Sequence, residues 1–106
     1  MLVSRATLVA KLFRGLSDPT RLAILEAIRS RPLRVVDLCG LTGRAQPNVS
    51  AHLACLRDCG LVNASPAGRE THYSLADPSM LDLLDVADSV VDRFGTKLCA
   101  CPRYEG

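Results

Sequence analysis

The sequence predicts a mainly α-helical fold with one β-hairpin, and three observations point that way. Apolar residues recur at helical spacing through most of the 106-residue chain. One stretch, residues 61–75, instead alternates like paired strands on either side of Pro66-Ala67-Gly68. The composition is 48% apolar with two Phe, two Tyr and no Trp, an aliphatic mixture that suits helix packing. A chain this short buries only a small core, so a second copy is expected to complete it.

Composition also excludes classes of function. A net charge of +2 is too mild to mark a nucleic-acid binder by itself, so the placement of charge must carry that argument. The N-terminus has no long apolar run with a small-residue cleavage site, and no window approaches a membrane span. A cytoplasmic protein without a membrane partner is expected. The five cysteines are odd in number and form no regular framework, which favours reduced, ligand-binding thiols over structural disulfides. No Cys–His–acid arrangement or phosphate loop is visible, so neither an enzyme nor a binder of small organic substrates is expected.

In order along the chain, residues 4–16 carry Leu8, Val9, Leu12, Phe13 and Leu16 on one stripe, a first amphipathic helix ending near Gly15. Pro19 interrupts it, and Asp18 or Thr20 caps a second helix whose apolar face is Leu22, Ile24, Leu25 and Ile28. A third short helix starts at Leu33-Arg34 and leads to the turn Thr42-Gly43-Arg44. The fourth begins near Ala45 or Gln46, because Pro47 is tolerated only in a first turn, and Gly60 ends it. A hairpin follows, with Arg69 beside its tip. Asp77-Pro78 opens a last helix bearing Met80, Leu83, Leu84, Ala87, Val90, Val91 and Phe94, with Gly95 as its expected stop.

This succession is a winged helix-turn-helix. The last helix has no later element to cover it, so Leu8, Leu12, Leu84, Ala87, Val91 and Phe94 are expected to form a two-fold homodimer interface. Residues 1–95 make a DNA-binding and dimerisation domain, and residues 96–106 an irregular cysteine-containing tail.

Residues 45–60, AQPNVSAHLACLRDCG, carry the chemistry. At about 100° per residue, Val49, Leu53 and Leu56 share a core stripe while Asn48, His52, Cys55 and Cys59 share another. Gln46, Asn48, Ser50 and His52 suit base edges and phosphates, and Arg44, Arg57 and Arg69 suit phosphates of operator double-stranded DNA. His52, one turn from Cys55, is also within reach of a ligand role, but its place among the polar front residues favours contact with DNA. Cysteines four apart on a helix share a cation readily but are poorly disposed to a disulfide. With Cys99 and Cys101 of the tail they form a thiol set that favours soft ions such as Cd, Pb, Hg or As over Mg or Ca. In an extended tail Cys99 and Cys101 would face one way, and either could be the essential donor. The bland alternative, Cys55 and Cys59 as small core residues, conflicts with the stripe already defined by Val49, Leu53 and Leu56. Cys39 has no neighbouring thiol and is read as a bystander. Asp82, Asp85, Asp88 and Asp92 read as a solvated helix face.

Asp18-Pro19-Thr20-Arg21, Ser50-x-His52-Leu53-x-x-Leu56, and Gly68-Arg69 followed by His72-Tyr73 resemble the ArsR/SmtB family of winged-helix metal-sensing repressors over residues 8–95. Cys55-Leu56-Arg57-x-Cys59-Gly60 plus a tail cysteine is similar to the CmtR-type cadmium and lead sensors of that family. The resemblance implies a metal-free dimer that represses at its operator and is released by Cd or Pb, with Zn, Hg or As as other effectors. The family's arsenic pattern wants cysteines where Arg34 and Val36 stand, and its zinc pattern wants Asp and His ligands on the last helix, where no His lies. A thiol redox or persulfide sensor on the same fold is the alternative expectation.

Overall fold

The computed structural model describes residues 2–104. The elements run α1 (Arg5–Leu16), α2 (Pro19–Ala27), α3 (Val35–Thr42), α4 (Gln46–Asp58), β1 (Val62–Ala67), β2 (Glu70–Leu75) and α5 (Pro78–Ala100), then a 3-10 turn at Pro102–Tyr104. Side chains fix several helix starts. Ser4 Oγ accepts from the Thr7 amide at 3.2 Å, Asp18 Oδ2 from the Arg21 amide at 3.0 Å, and Asp77 Oδ2 from the Ser79 amide at 2.9 Å. Helix α4 has no such cap, as Ala45 implies.

The core lies where α2, α3 and α4 meet and continues onto β1 and the start of α5. Ile24, Leu25, Leu38, Val49, Leu53, Leu56 and Val62 are its fully buried members. The α4 stripe read from the sequence is the one buried. Helices α3 and α4 are joined by a turn in which Gly43 adopts a left-handed φ of 69°. At the other end of α4, Leu61 N–H donates to the Leu56 carbonyl and Gly60 N–H to the Arg57 carbonyl, a Schellman closure that needs the φ of 78° at Gly60.

The wing is a two-stranded antiparallel sheet running from the pair Val62↔Leu75 to Ala67↔Glu70. Its first strand runs further than the alternation indicates and its second starts one residue later: Pro66 and Ala67 remain paired, and the loop is Gly68-Arg69 alone. Gly68, the first loop residue, has φ 66° while no non-glycine residue among those described has positive φ, which matches a type II′ turn. Leu33 is not helical either. It forms an antiparallel bridge with Tyr73, donating at 3.0 Å and accepting at 2.8 Å, and so pins the wing to the entrance of α3.

Gly95 does not end the last helix. Glycine in a helix interior costs only about 1 kcal/mol, and the flanking residues carry the helix on to Ala100. What stops it is Pro102, which bars Cys101 from the helical region; Cys101 sits at φ −72°, ψ 117°. The expected irregular tail from residue 96 is therefore helix up to Ala100, with Cys99 on the helix and Cys101 at its cap. Leu84, expected at the dimer interface, is 2% exposed and packs in the protomer's own core. Val86, Val90, Val91, Phe94 and Leu98 are exposed along α5, as are Leu8, Val9 and Phe13 on α1.

Candidate functional site

The groups assigned to DNA fall mainly on exposed surface. Arg44 lies in the turn before α4, Gln46 and Asn48 in its first turn, Arg57 in its last, and Arg69 at the hairpin tip, all exposed. Gln46 Nε2 donates to half-buried Ser50 Oγ at 2.9 Å, so these two present a joined polar surface one turn long. Exposed amides and a half-buried hydroxyl beside flanking guanidinium groups suit contacts to base edges and phosphates.

His52 departs from this group. Its ring faces the start of α2, with Nδ1 3.4 Å from Arg21 Nη1 and Nε2 3.7 Å from Asp18 Oδ2. Arg21 in turn donates from Nε to the Gly15 carbonyl at 2.6 Å and from Nη2 to the Arg14 carbonyl at 3.3 Å. The Arg14 carbonyl also accepts from the Ser17 amide and hydroxyl, and a cation at this end of α1 complements the helix dipole. The Arg21 amide, ahead of the attraction of His52 and Arg21 charge, holds the Asp18 carboxyl below its ordinary value near 3.8.

Cys55 and Cys59 are both exposed, and the Cys59 amide donates to the Cys55 carbonyl at 3.1 Å, so the helical ladder places them one turn apart. Cys59 lines a surface hollow of ≈ 380 Å³ with Leu8, Lys11, Leu12 and Gly15 of α1 and with Asp58 and Leu61. Cys99 is exposed at the end of α5, Cys101 is half-buried at its cap, and Cys39 is half-buried against the core. Among the described residues no three His, Cys, Asp or Glu side chains gather to hold a metal within one protomer. Cys55 and Cys59 therefore stand on α4 without a third His, Cys, Asp or Glu donor gathered beside them among the described residues.

Two ionic clusters escaped the sequence reading. The Arg34 guanidinium clamps Asp37, with Nε to Oδ2 and Nη2 to Oδ1 at 3.1 Å each, and its Nη1 reaches both Glu70 oxygens at 3.2 and 3.0 Å. This joins α3 to the wing, and the Arg34 hydrogen bonds hold the Asp37 carboxyl low. Arg29 binds Glu26, Asp88 and Asp85, tying α2 to α5. Asp85 and Asp88 are therefore more than a solvated face. The inter-element half of each cluster has no local signature, because Arg34 and Glu70 stand 36 residues apart and Arg29 and Asp88 stand 59 apart.

Comparison with known proteins adds a second line of support. The sequence profile described as "Bacterial regulatory protein, arsR family" matches residues 18–64. The chain is 38% identical over 97 residues to the "Probable mercury resistance operon repressor" of Streptomyces lividans, covering 92% of this chain and 78% of that one. It is 41% identical over 87 residues to the HTH-type transcriptional regulator CmtR of Mycobacterium tuberculosis, covering 82% and 74%. The NMR structure of that cadmium metal-sensor superposes with a TM-score of 0.66 at 43% identity, covering 77% and 85%. The homodimeric winged helix-turn-helix DNA-binding domain of Mb0332 from Mycobacterium bovis superposes with a TM-score of 0.75 at 28% identity, covering 87% and 89%.

Proposed function

Given that this chain belongs to the ArsR family of bacterial regulatory proteins, we propose that it is a metal-responsive transcriptional repressor. As a homodimer it binds operator DNA through α4 and the wing, and a soft cation, Cd or Pb in the first place, releases it. The observation that carries this reading is the pair of solvent-facing thiols on the helix that also bears Gln46, Asn48 and Ser50. A repressor rather than an enzyme also agrees with the relatives, which are named as transcriptional regulators.

The donor chemistry fits the ion class. Cys55 and Cys59 would hold a soft cation as thiolates, and Cys99 or Cys101 would supply the third donor from the end of α5. Because no third donor gathers near the pair among the described residues of one protomer, a site shared between subunits accommodates these residues better than one within a subunit. A bound ion supplies a tether between the reading helix and the C-terminal segment. Each thiol loses its proton on ligation, so affinity for the ion rises with pH. Gln46, Asn48, Ser50, Arg44, Arg57 and Arg69 meet the DNA from the other part of the same surface, so the two ligands compete for the pose of one helix. A coupling of about 1–3 kcal/mol is the usual scale for such antagonism.

Replacing Cys55, Cys59, Cys99 and Cys101 singly with Ser and measuring operator release by Cd, Pb, Zn and As tests the reading. Cys55→Ser and Cys59→Ser are expected to keep operator affinity and lose the response, and normal responses in both would refute the ligand assignment. The exposure of the same thiols also supports a redox or persulfide sensor. That reading prevails if reduced, oxygen-free protein ignores Cd while an oxidant alone frees the DNA.

A further inference from the structure

The sequence groups His52 with the DNA contacts, yet its ring is turned toward Arg21 and Asp18 within the protomer. Arginine carries donors only, so Nδ1 accepts from Arg21 at 3.4 Å, which leaves the proton on Nε2, the nitrogen 3.7 Å from Asp18 Oδ2. The side chain is only 21% exposed, and its partner Arg21 is itself fastened to the Gly15 and Arg14 carbonyls. The result is one polar chain from the last turn of α1, through Arg21, to the middle of α4.

We propose that His52 is a positioning residue: with Arg21 and Asp18 it fixes the orientation of α4 against the end of α1 and does not itself touch DNA. Beneath this joint the packing of α2 on α4 is aliphatic, through residues such as Ile24, Leu25, Val49 and Leu53. Aliphatic contacts are non-directional and leave rotation of one helix on another weakly specified. Hydrogen bonds through a fixed guanidinium fork are directional, so the Arg21–His52 joint defines the angle. Helix α1 presents exposed Leu8, Val9 and Phe13. In the repressor reading, on which this inference rests, those residues meet the partner subunit, so the joint carries the geometry of the dimer to each reading helix. It also lies one turn from Cys55, between the thiols and the DNA-facing first turn.

The test compares His52→Gln with His52→Leu in the full chain, by operator affinity over a series of salt concentrations. Glutamine keeps an acceptor and a donor at similar reach, whereas leucine keeps only bulk. His52→Leu is expected to lose about tenfold in affinity and His52→Gln no more than about threefold. The slope of log affinity against log salt should be that of the wild type in both, because no phosphate contact is removed. Equal losses in the two variants with a shallower slope would put the ring on the DNA backbone and overturn the proposal, as would wild-type affinity in His52→Leu. Should His52→Leu fail to fold, Arg21→Lys replaces it: lysine keeps the charge but cannot serve the Gly15 carbonyl and His52 together. It is expected to weaken binding similarly, and wild-type affinity there would overturn the joint. If the wild type itself shows no preference for any DNA sequence, the repressor reading fails before the joint is tested.

Discussion

On α4 the core is served by Val49, Leu53 and Leu56, which leaves Cys55 and Cys59 in solvent with no packing task. The two classes should separate in denaturant unfolding. Leu53→Ala removes a side chain that is 1% exposed and should cost about 2–5 kcal/mol, whereas Cys55→Ser should stay within about 0.5 kcal/mol. A large loss in Cys55→Ser would return that thiol to the core. Periodicity sufficed to make this division, because a helix converts spacing directly into facing. It did not suffice for His52, whose stripe borders the core, so that its partners depend on where α2 lies. Asp18, Asp37 and Asp77 are each held below the ordinary carboxylate value, chiefly by the Arg21 amide, the Arg34 guanidinium and Ser79 respectively. Carboxylates depressed in the folded state stabilise it above about pH 4 and lose that contribution as pH falls through their lowered values. The melting temperature should therefore drop progressively below about pH 4, and Asp37→Asn should flatten that fall; an acid limb unchanged by Asp37→Asn would remove its share.

At the scale of elements, the helix starts were legible because proline and capping residues act locally: Asp18-Pro19, Pro47 and Asp77-Pro78 stand where α2, α4 and α5 begin. The end of α5 was legible too, in Cys101-Pro102, but Gly95 drew attention first, and a glycine is permissive where a proline is prohibitive. The wing's length was harder to read, since Pro66 resembles a break and yet sits in a two-stranded sheet where one edge needs no donor. Its turn depends on Gly68 at φ 66°, and a Cβ there meets nothing within 4 Å, so backbone strain alone decides the outcome of substitution. Gly68→Ala should destabilise the protein by about 1–2 kcal/mol and weaken operator binding by displacing Arg69. Unchanged stability would show that the turn tolerates a side chain in this conformation.

At the scale of the molecule, a radius of gyration of 15.0 Å exceeds the roughly 13 Å of a compact domain of this length. Helix α5 accounts for much of the excess. It spans 23 residues, about 34 Å, but only Met80 and Leu84 in its first two turns are buried. Beyond them Phe94 is 50% exposed, and α1 leaves Phe13 53% exposed, so each of the two helices turns an apolar face to solvent. An aspartate at Phe94 should therefore convert a dimer to monomers in sedimentation and abolish operator binding, because half-sites are read in pairs. Retention of the dimer in Phe94→Asp would move the interface elsewhere. The sequence carried the apolar stripe of α5 but not the Arg29 contacts with Asp85 and Asp88 that brace it, since ion pairs between distant segments leave no period to detect. The central claim, that thiols on the reading helix set metal against DNA, is tested most directly in one sample. Reduced, oxygen-free dimer on a fluorescent operator is titrated with Cd while thiolate-to-metal absorbance and operator anisotropy are read together. The account predicts that absorbance rises and anisotropy falls over the same metal concentrations, and that both changes vanish in a Cys55→Ser, Cys59→Ser double variant still able to bind the operator. Operator release by Cd in that double variant, or absorbance that saturates while the operator stays bound, would contradict it.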